Sequence, residues 1–349
     1  MIMKYLRYLL ILIPVSIVFH FMDLNPTLVF VTAAFAIIPL AGLMGEATEE
    51  ISVYSGPRVG GFLNATFGNA TELIIAFFAL REGLFEVVKA SIVGSVIGNV
   101  LLVLGLSMIL GGCKFKTQSF NKKAVEVSSS MLLFSVIGLS IPAIFTHTIK
   151  NDLLTSKYEG LSIAVALIMF LIYILGLYFS FFTHKDIYGA EHKEEMESKW
   201  SLKKSISILI IATVCIALES EFLIGSVEAM TETIGLSEFF VGIIIIPIIG
   251  NAAEHSTAVV MALKNKMDIA VEIAIGSSLQ IILFVSPILI FLSLLFKPMS
   301  IIFNEFELVS LIVAVVIANR VSSDGESNWL EGVQLIAVYI ILAICFLIL

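Results

Sequence analysis

Gly68-Asn69-Ala70-Thr71-Glu72 and Gly250-Asn251-Ala252-Ala253-Glu254 are one motif, Gly-Asn-Ala-x-Glu, written twice at an offset of 182 residues. Without any gap, the same offset pairs Ala76 with Ala258, Gly94 with Gly276 and Ser95 with Ser277. Apolar sequence produces chance matches of Ala and Leu easily. It rarely produces Gly-Asn-Ala-x-Glu twice with Gly-Ser in register behind each copy. The chain reads as an internal duplication.

The composition says where such a duplication lives. Of 349 residues, 59% are hydrophobic and 14% charged, with a mean hydropathy of +1.05. Soluble domains run near half apolar and about a quarter charged. These values exclude an ordinary cytoplasmic enzyme, a disordered chain and a nucleic-acid binder, and the net charge of −8 repels a polyanion. Cys113, Cys215 and Cys345 are scattered through apolar stretches with no disulfide or metal-ligand spacing. The expected class is an all-α integral membrane protein.

A transmembrane helix needs about 20 mostly apolar residues. Eleven stretches meet that need, near 5–22, 26–49, 60–80, 86–111, 124–146, 159–183, 203–223, 239–263, 268–295, 300–318 and 329–349. The first follows Lys4 and Arg7 like a signal peptide. It has no small-residue cleavage site, so it is expected to stay as a helix. Placing the N-terminus in the cytoplasm puts fifteen of the 20 Lys and Arg inside and five outside, as the positive-inside rule asks. The motif offset crosses five spans, an odd number, so the second copy enters the membrane from the opposite face. This predicts an N-terminal transmembrane helix (1–23), a first five-helix repeat (24–183), an acidic cytoplasmic linker helix (184–202) and an inverted second five-helix repeat (203–349). The linker reads either as a solvated connection or as an acidic surface that senses cations.

Glu72 and Glu254 fall well inside their spans. An ionised carboxylate there is tolerated only if it faces a polar cavity, is protonated or meets a cation. Inverted symmetry brings both motifs to the midplane, so the two carboxylates can face each other. Two close anions in a low dielectric raise each other's affinity for protons and also attract a doubly charged cation. Protons and cation then compete for the same oxygens, which is the minimum chemistry of an antiporter. The plainer alternative is a pair of protonated acids bonding between helices.

The neighbours fit a broken helix. Gly68 and Gly250 weaken it, and Pro247 removes a backbone bond. Carbonyls freed at such a break can hold a cation. Asn69 and Asn251 are candidates either to cap the half-helices or to donate an amide oxygen. Gly94 and Gly98 form a GxxxG packing pattern, while Ser95, Asn99, Ser277 and Gln280 put polar groups in oily helices beside the expected ion path. His255, about 100° around the helix from Glu254, is a candidate to tune or relay protons, or to make a plain interhelical bond. Glu46, Glu49 and Glu50 at one end, and Glu221 with Glu219 and Glu228 at the other, are candidates to gather cations at the two mouths, or interfacial charges.

Every candidate ligand is oxygen, which disfavours zinc and copper and suits calcium, with manganese as the alternative. The stretches Gly68–Leu73 and Gly250–His255 resemble the paired alpha-repeat signatures of the calcium/proton exchanger branch of the calcium/cation antiporter superfamily. Gly45–Glu50, Ser220–Ser226, Gly98-Asn99 and Ser277–Gln280 look similar to that family too. The Gly-Thr-Ser-x-Pro-Glu type signature of sodium/calcium relatives is absent. The resemblance implies eleven spans, an acidic helix between the halves, and exchange of calcium against protons with Glu72 and Glu254 as shared ligands. The expected protein is a multi-pass antiporter of the cell membrane. Its partners are calcium, protons and the bilayer, and it has no cofactor and no enzymatic reaction. A sodium-coupled exchanger and a cation channel are the rival expectations.

Overall fold

The computed structural model describes residues 6–148, 155–188 and 198–349. The described chain is almost wholly helical. Its helices are α1 (Arg7–Phe21), α2 (Pro26–Gly56), α3 (Val59–Arg81), α4 (Phe85–Phe115), α5 (Lys122–Thr146), α6 (Glu159–Thr183) and α7 (Leu202–Gly225). Then come α8 (Val227–Ile234), α9 (Glu238–Gly250), α10 (Ala252–Leu263), α11 (Met267–Ser293), α12 (Glu305–Val321) and α13 (Trp329–Ile348). The middle of the expected acidic linker, 189–197, including Glu191, Glu194, Glu195 and Glu197, lies outside the described residues.

Among the described residues, eight helices are long and apolar enough to cross a bilayer, and nine if α8 and α9, bent by 115°, count as one. The eleven expected spans are therefore only partly matched by length. At 1.5 Å per residue α1 reaches about 22 Å and α12 about 25 Å, short of a hydrocarbon core of about 30 Å. α12 begins five residues after the expected 300 because Asn304 and Glu307 form a capping box there. Helix α8 falls in a stretch read from sequence as a connection. Gly235 ends it in the left-handed conformation, at φ 76°, where a side chain would be strained.

Two hydrophobic bodies are separable. The large core joins α3 to α6 with α8 to α13 and reaches α2 through Val29, Phe30 and Ile37 and α7 through Phe222, Leu223 and Ile224. A second, smaller cluster is built on Leu40 and Met44 of α2 against Ala212 and Ile216 of α7. Helices α2 and α7 pack along each other, and α1 lies against α2. At the other edge a two-stranded ribbon, β1 (Thr117–Ser119) with β2 (Glu326–Asn328), ties the turn after α4 to the turn before α13.

Candidate functional site

The helices break at the two motifs. Helix α3 is interrupted by Gly68 and Asn69 and restarts at Ala70, with Asn69 at φ −103°, ψ 23°. The α9–α10 break falls at Asn251, φ −91°, ψ 4°, after Pro247. Glu72 and Glu254 each sit in the first turn of the restarted half-helix, where free N–H groups and the positive end of the dipole favour an anion. The helices crossing these breaks are also irregular. Helix α4 widens into a π-turn at Gly98–Val103 and α11 does so at Ile281–Val285, positions that superpose under the 182-residue offset. Such widened turns re-aim side chains and recur at functional sites.

Each glutamate reaches across to the other repeat. A Cβ placed on Gly68 would lie 3.4 Å from Glu254 Oε1, and one on Gly250 would lie 3.3 Å from Glu72 Cγ. The asparagines cross as well: Ser277 Oγ donates to Asn69 Oδ1 at 2.8 Å, and Asn251 Nδ2 donates to Ser95 Oγ at 3.2 Å. These two contacts are symmetry mates. Neither asparagine side chain caps the N-terminus of the half-helix that restarts after it. Of the two roles read from sequence, capping survives in part: Asn251 Nδ2 also donates to the Pro247 carbonyl at 3.0 Å and so closes the last turn of α9, while the Asn69 amide is drawn into the opposite repeat.

Hydrogen bonds extend the site asymmetrically. Asn69 Nδ2 donates to Gln280 Oε1 at 2.5 Å, Asn99 Nδ2 donates to Ser277 Oγ at 3.1 Å, and His255 Nε2 lies 3.2 Å from Asn99 Oδ1. One connected chain thus runs from Gln280 through Asn69, Ser277 and Asn99 to His255. Four buried acceptor atoms are left without partners: both carboxylate oxygens of Glu72, Glu254 Oε2 and Asn251 Oδ1. An acceptor-only group buried without a donor is costly. A cation or a proton supplies what these oxygens lack. Among the described residues, no three His, Cys, Asp or Glu side chains gather. A divalent ion between Glu72 and Glu254 would therefore complete its shell with neutral oxygens. Beside Glu72 a cavity lined by Ser91, Ser95, Pro247 and Gly250 has room for about one water molecule.

The expected mouth residues lie apart from this centre, and most already have partners. Glu46 pairs with Arg7, and Glu221 pairs with Arg81 at 2.8 Å. Glu50 is buried and accepts the backbone N–H groups of Lys199 and Trp200 at 2.9 and 3.0 Å. Glu49 is exposed. Two residues of the site were missed in the sequence. Tyr173 donates to the Ala65 carbonyl at 3.1 Å, just before the α3 break. Ser91 lines the cavity beside Glu72. An aromatic and a hydroxyl in apolar helices carry no signal of their own.

The model of the sodium/calcium exchanger protein family matches residues 25–182 and 204–348. The chain is 46% identical to the Ca(2+)/H(+) antiporter of Aphanothece halophytica, over 97% of this chain and 95% of that protein. It is 46% identical to the Ca(2+)/H(+) antiporter ChaA of Bacillus subtilis (strain 168), over 97% of each. The solved structure of native YfkE superposes with a TM-score of 0.86 at 42% identity, covering both chains completely. The chain belongs to the sodium/calcium exchanger protein family, within its calcium/proton exchanger branch.

Proposed function

We propose that the chain is a secondary antiporter that exchanges cytoplasmic calcium for external protons by alternating access. The similar proteins named as Ca(2+)/H(+) antiporters support the substrate pair. The observation that carries the mechanism is the set of orphaned oxygens on Glu72, Glu254 and Asn251, contributed by both halves to one buried centre. Calcium accepts six to eight oxygens in flexible geometry. Two carboxylates with Asn251 Oδ1 and neighbouring hydroxyl and carbonyl oxygens suit it. Asn69, Gln280, Ser95, Ser277 and Asn99 then hold the half-helices in register, and His255 ends their chain. Gly68 and Gly250 let each carboxylate approach the opposite repeat.

Charge gives the coupling. Two carboxylates carrying one calcium ion, or two protons, are neutral, and a neutral site crosses the low dielectric cheaply. The empty dianion is the form that moves poorly. Eleven spans in an inverted arrangement, with the N-terminus in the cytoplasm of a cell-membrane protein, complete the reading. In it α1 and α12 cross despite their length. Glu46, Glu49, Glu50 and Glu221 serve as charges near the two mouths.

Everted vesicles with an acid interior and no sodium test the reading. Calcium uptake is expected from the wild type and is abolished in Glu72→Gln and in Glu254→Gln. Full uptake by either variant overturns the shared-carboxylate mechanism. Uptake driven by a sodium gradient alone identifies a sodium-coupled exchanger. Conductance without proton movement identifies a channel. Equal competition by manganese widens the substrate class.

A further inference from the structure

Helix α1 stands outside the duplicated halves, yet it is pinned to α2 and α7. Arg7 pairs with Glu46 of α2. His20 stacks on Phe222 of α7, ring centroids 4.1 Å apart, and Phe21 meets the same ring edge-on. Between these contacts Ser16 Oγ lies 2.7 Å from Glu219 Oε1 of α7. Both residues are fully buried, and Glu219 Oε2 has no partner. The duplication does not account for this acid, because its counterpart in the first half is the apolar Ile37.

Counting protons tells what form the acid takes. Ser16 Oγ also lies 2.8 Å from the Ile13 carbonyl oxygen, which can only accept. A serine hydroxyl has one hydrogen and two lone pairs. If Ser16 gives that hydrogen to Ile13, Glu219 must donate its own to Ser16 Oγ. A neutral carboxylic acid satisfies both short contacts. It also avoids burying an ionised carboxylate with one oxygen unpaired.

We propose that Glu219 is a positioning residue: a carboxylic acid that keys the N-terminal helix to α7 through Ser16, so that α1, α2 and α7 stay in working register, while it touches no transported ion. The inference rests on the exchange reading above. Leu40 and Met44 of α2 and Ala212 and Ile216 of α7 form a small hydrophobic cluster of their own beside the main core, which both helices also enter. The partly buried residues packed on that cluster include Leu10 and Ile13 of α1 and Ala70 and Ile74 of α3. The key therefore acts on helices that flank the carboxylate site. Glu219 is absent from the cavity beside Glu72.

The test uses the full chain in liposomes, measuring calcium-driven proton flux. Glu219→Gln keeps an N–H donor for Ser16 Oγ and should exchange at nearly the wild-type rate. Glu219→Ala and Ser16→Ala should each lower the maximal rate about tenfold, the scale of one lost buried hydrogen bond, with the calcium KM unchanged. The double variant should be no worse than the poorer single one, because the two groups act as a unit. A second readout is independent of transport. With the three native cysteines replaced by Ala, His20→Cys and Phe222→Cys should join through a short thiol cross-linker, and Glu219→Ala should cut that yield.

Loss of exchange in Glu219→Gln as deep as in Glu219→Ala overturns the proposal, as it would make Glu219 an ionised carrier. A changed calcium KM in Glu219→Ala, or an undiminished cross-link, overturns it too. Glu72→Gln separates the two readings: it should stop exchange and leave the cross-link intact. Exchange surviving in Glu72→Gln sinks the shared-carboxylate mechanism, and the cross-link still decides the role of Glu219.

Discussion

Adding one methyl group at each motif glycine should break the apparent symmetry of the site. In Gly68→Ala the new Cβ would fall 2.7 Å from the Asn64 carbonyl oxygen, with Glu254 Oε1 at 3.4 Å and Gln280 Oε1 at 3.5 Å behind it. The nearest atom is backbone, so the α3 break itself must shift. In Gly250→Ala the nearest atoms all belong to the Glu72 side chain, at 3.3, 3.6 and 3.7 Å. A side chain gives way by a few tenths of an ångström. Overpacking of this kind costs about 1–3 kcal/mol. At about 1.4 kcal/mol per decade, Gly68→Ala should raise the calcium KM about tenfold to a hundredfold, and Gly250→Ala threefold at most. Calcium-driven proton flux in liposomes, at matched protein density, measures both. An equal effect at the two positions, or a larger one at Gly250, refutes the argument from these contacts.

Acidifying the calcium side should raise the calcium KM, by up to about a hundredfold per pH unit where two protons must leave for each ion, because protons and calcium claim the same oxygens; a flat profile separates the proton sites from the calcium site. Tyr173→Phe removes the donor to the Ala65 carbonyl and should cost about 1 kcal/mol at the α3 break, read as a KM several-fold higher with normal folding. Gln118→Ala leaves the Ala262 carbonyl and Asn265 Oδ1 without their donor at 2.9 and 3.0 Å. It should lower the Tm by a few degrees at a cost of about 1–2 kcal/mol, with transport kinetics unchanged.

Much of the centre was legible because it is written twice. A duplicated Gly-Asn-Ala-x-Glu names the two acids, and Pro247 and the glycines foretell the breaks. What escaped was whatever depends on a partner far away in the chain. Asn69 reads as a helix cap until Ser277 and Gln280 arrive beside it. Glu50 reads as a surface acid, yet it holds the backbone of Lys199 and Trp200 just before the second half. Tyr173 looks like core filling until its hydroxyl meets Ala65. The number of crossing helices was less legible than their existence. Hydropathy marks oily stretches, whereas the capping box at Asn304 decides where one actually begins.

The small ribbon has a consequence for how the molecule is made. Residues Thr117–Ser119 leave the ribosome early, but their pairing partners, Glu326–Asn328, emerge some two hundred positions later. Over that interval the ribbon cannot form, so this seam closes only when the chain is within one helix, α13, of its end. A chain stopped before Glu326 would keep both motifs and both acids and still lack its clasp.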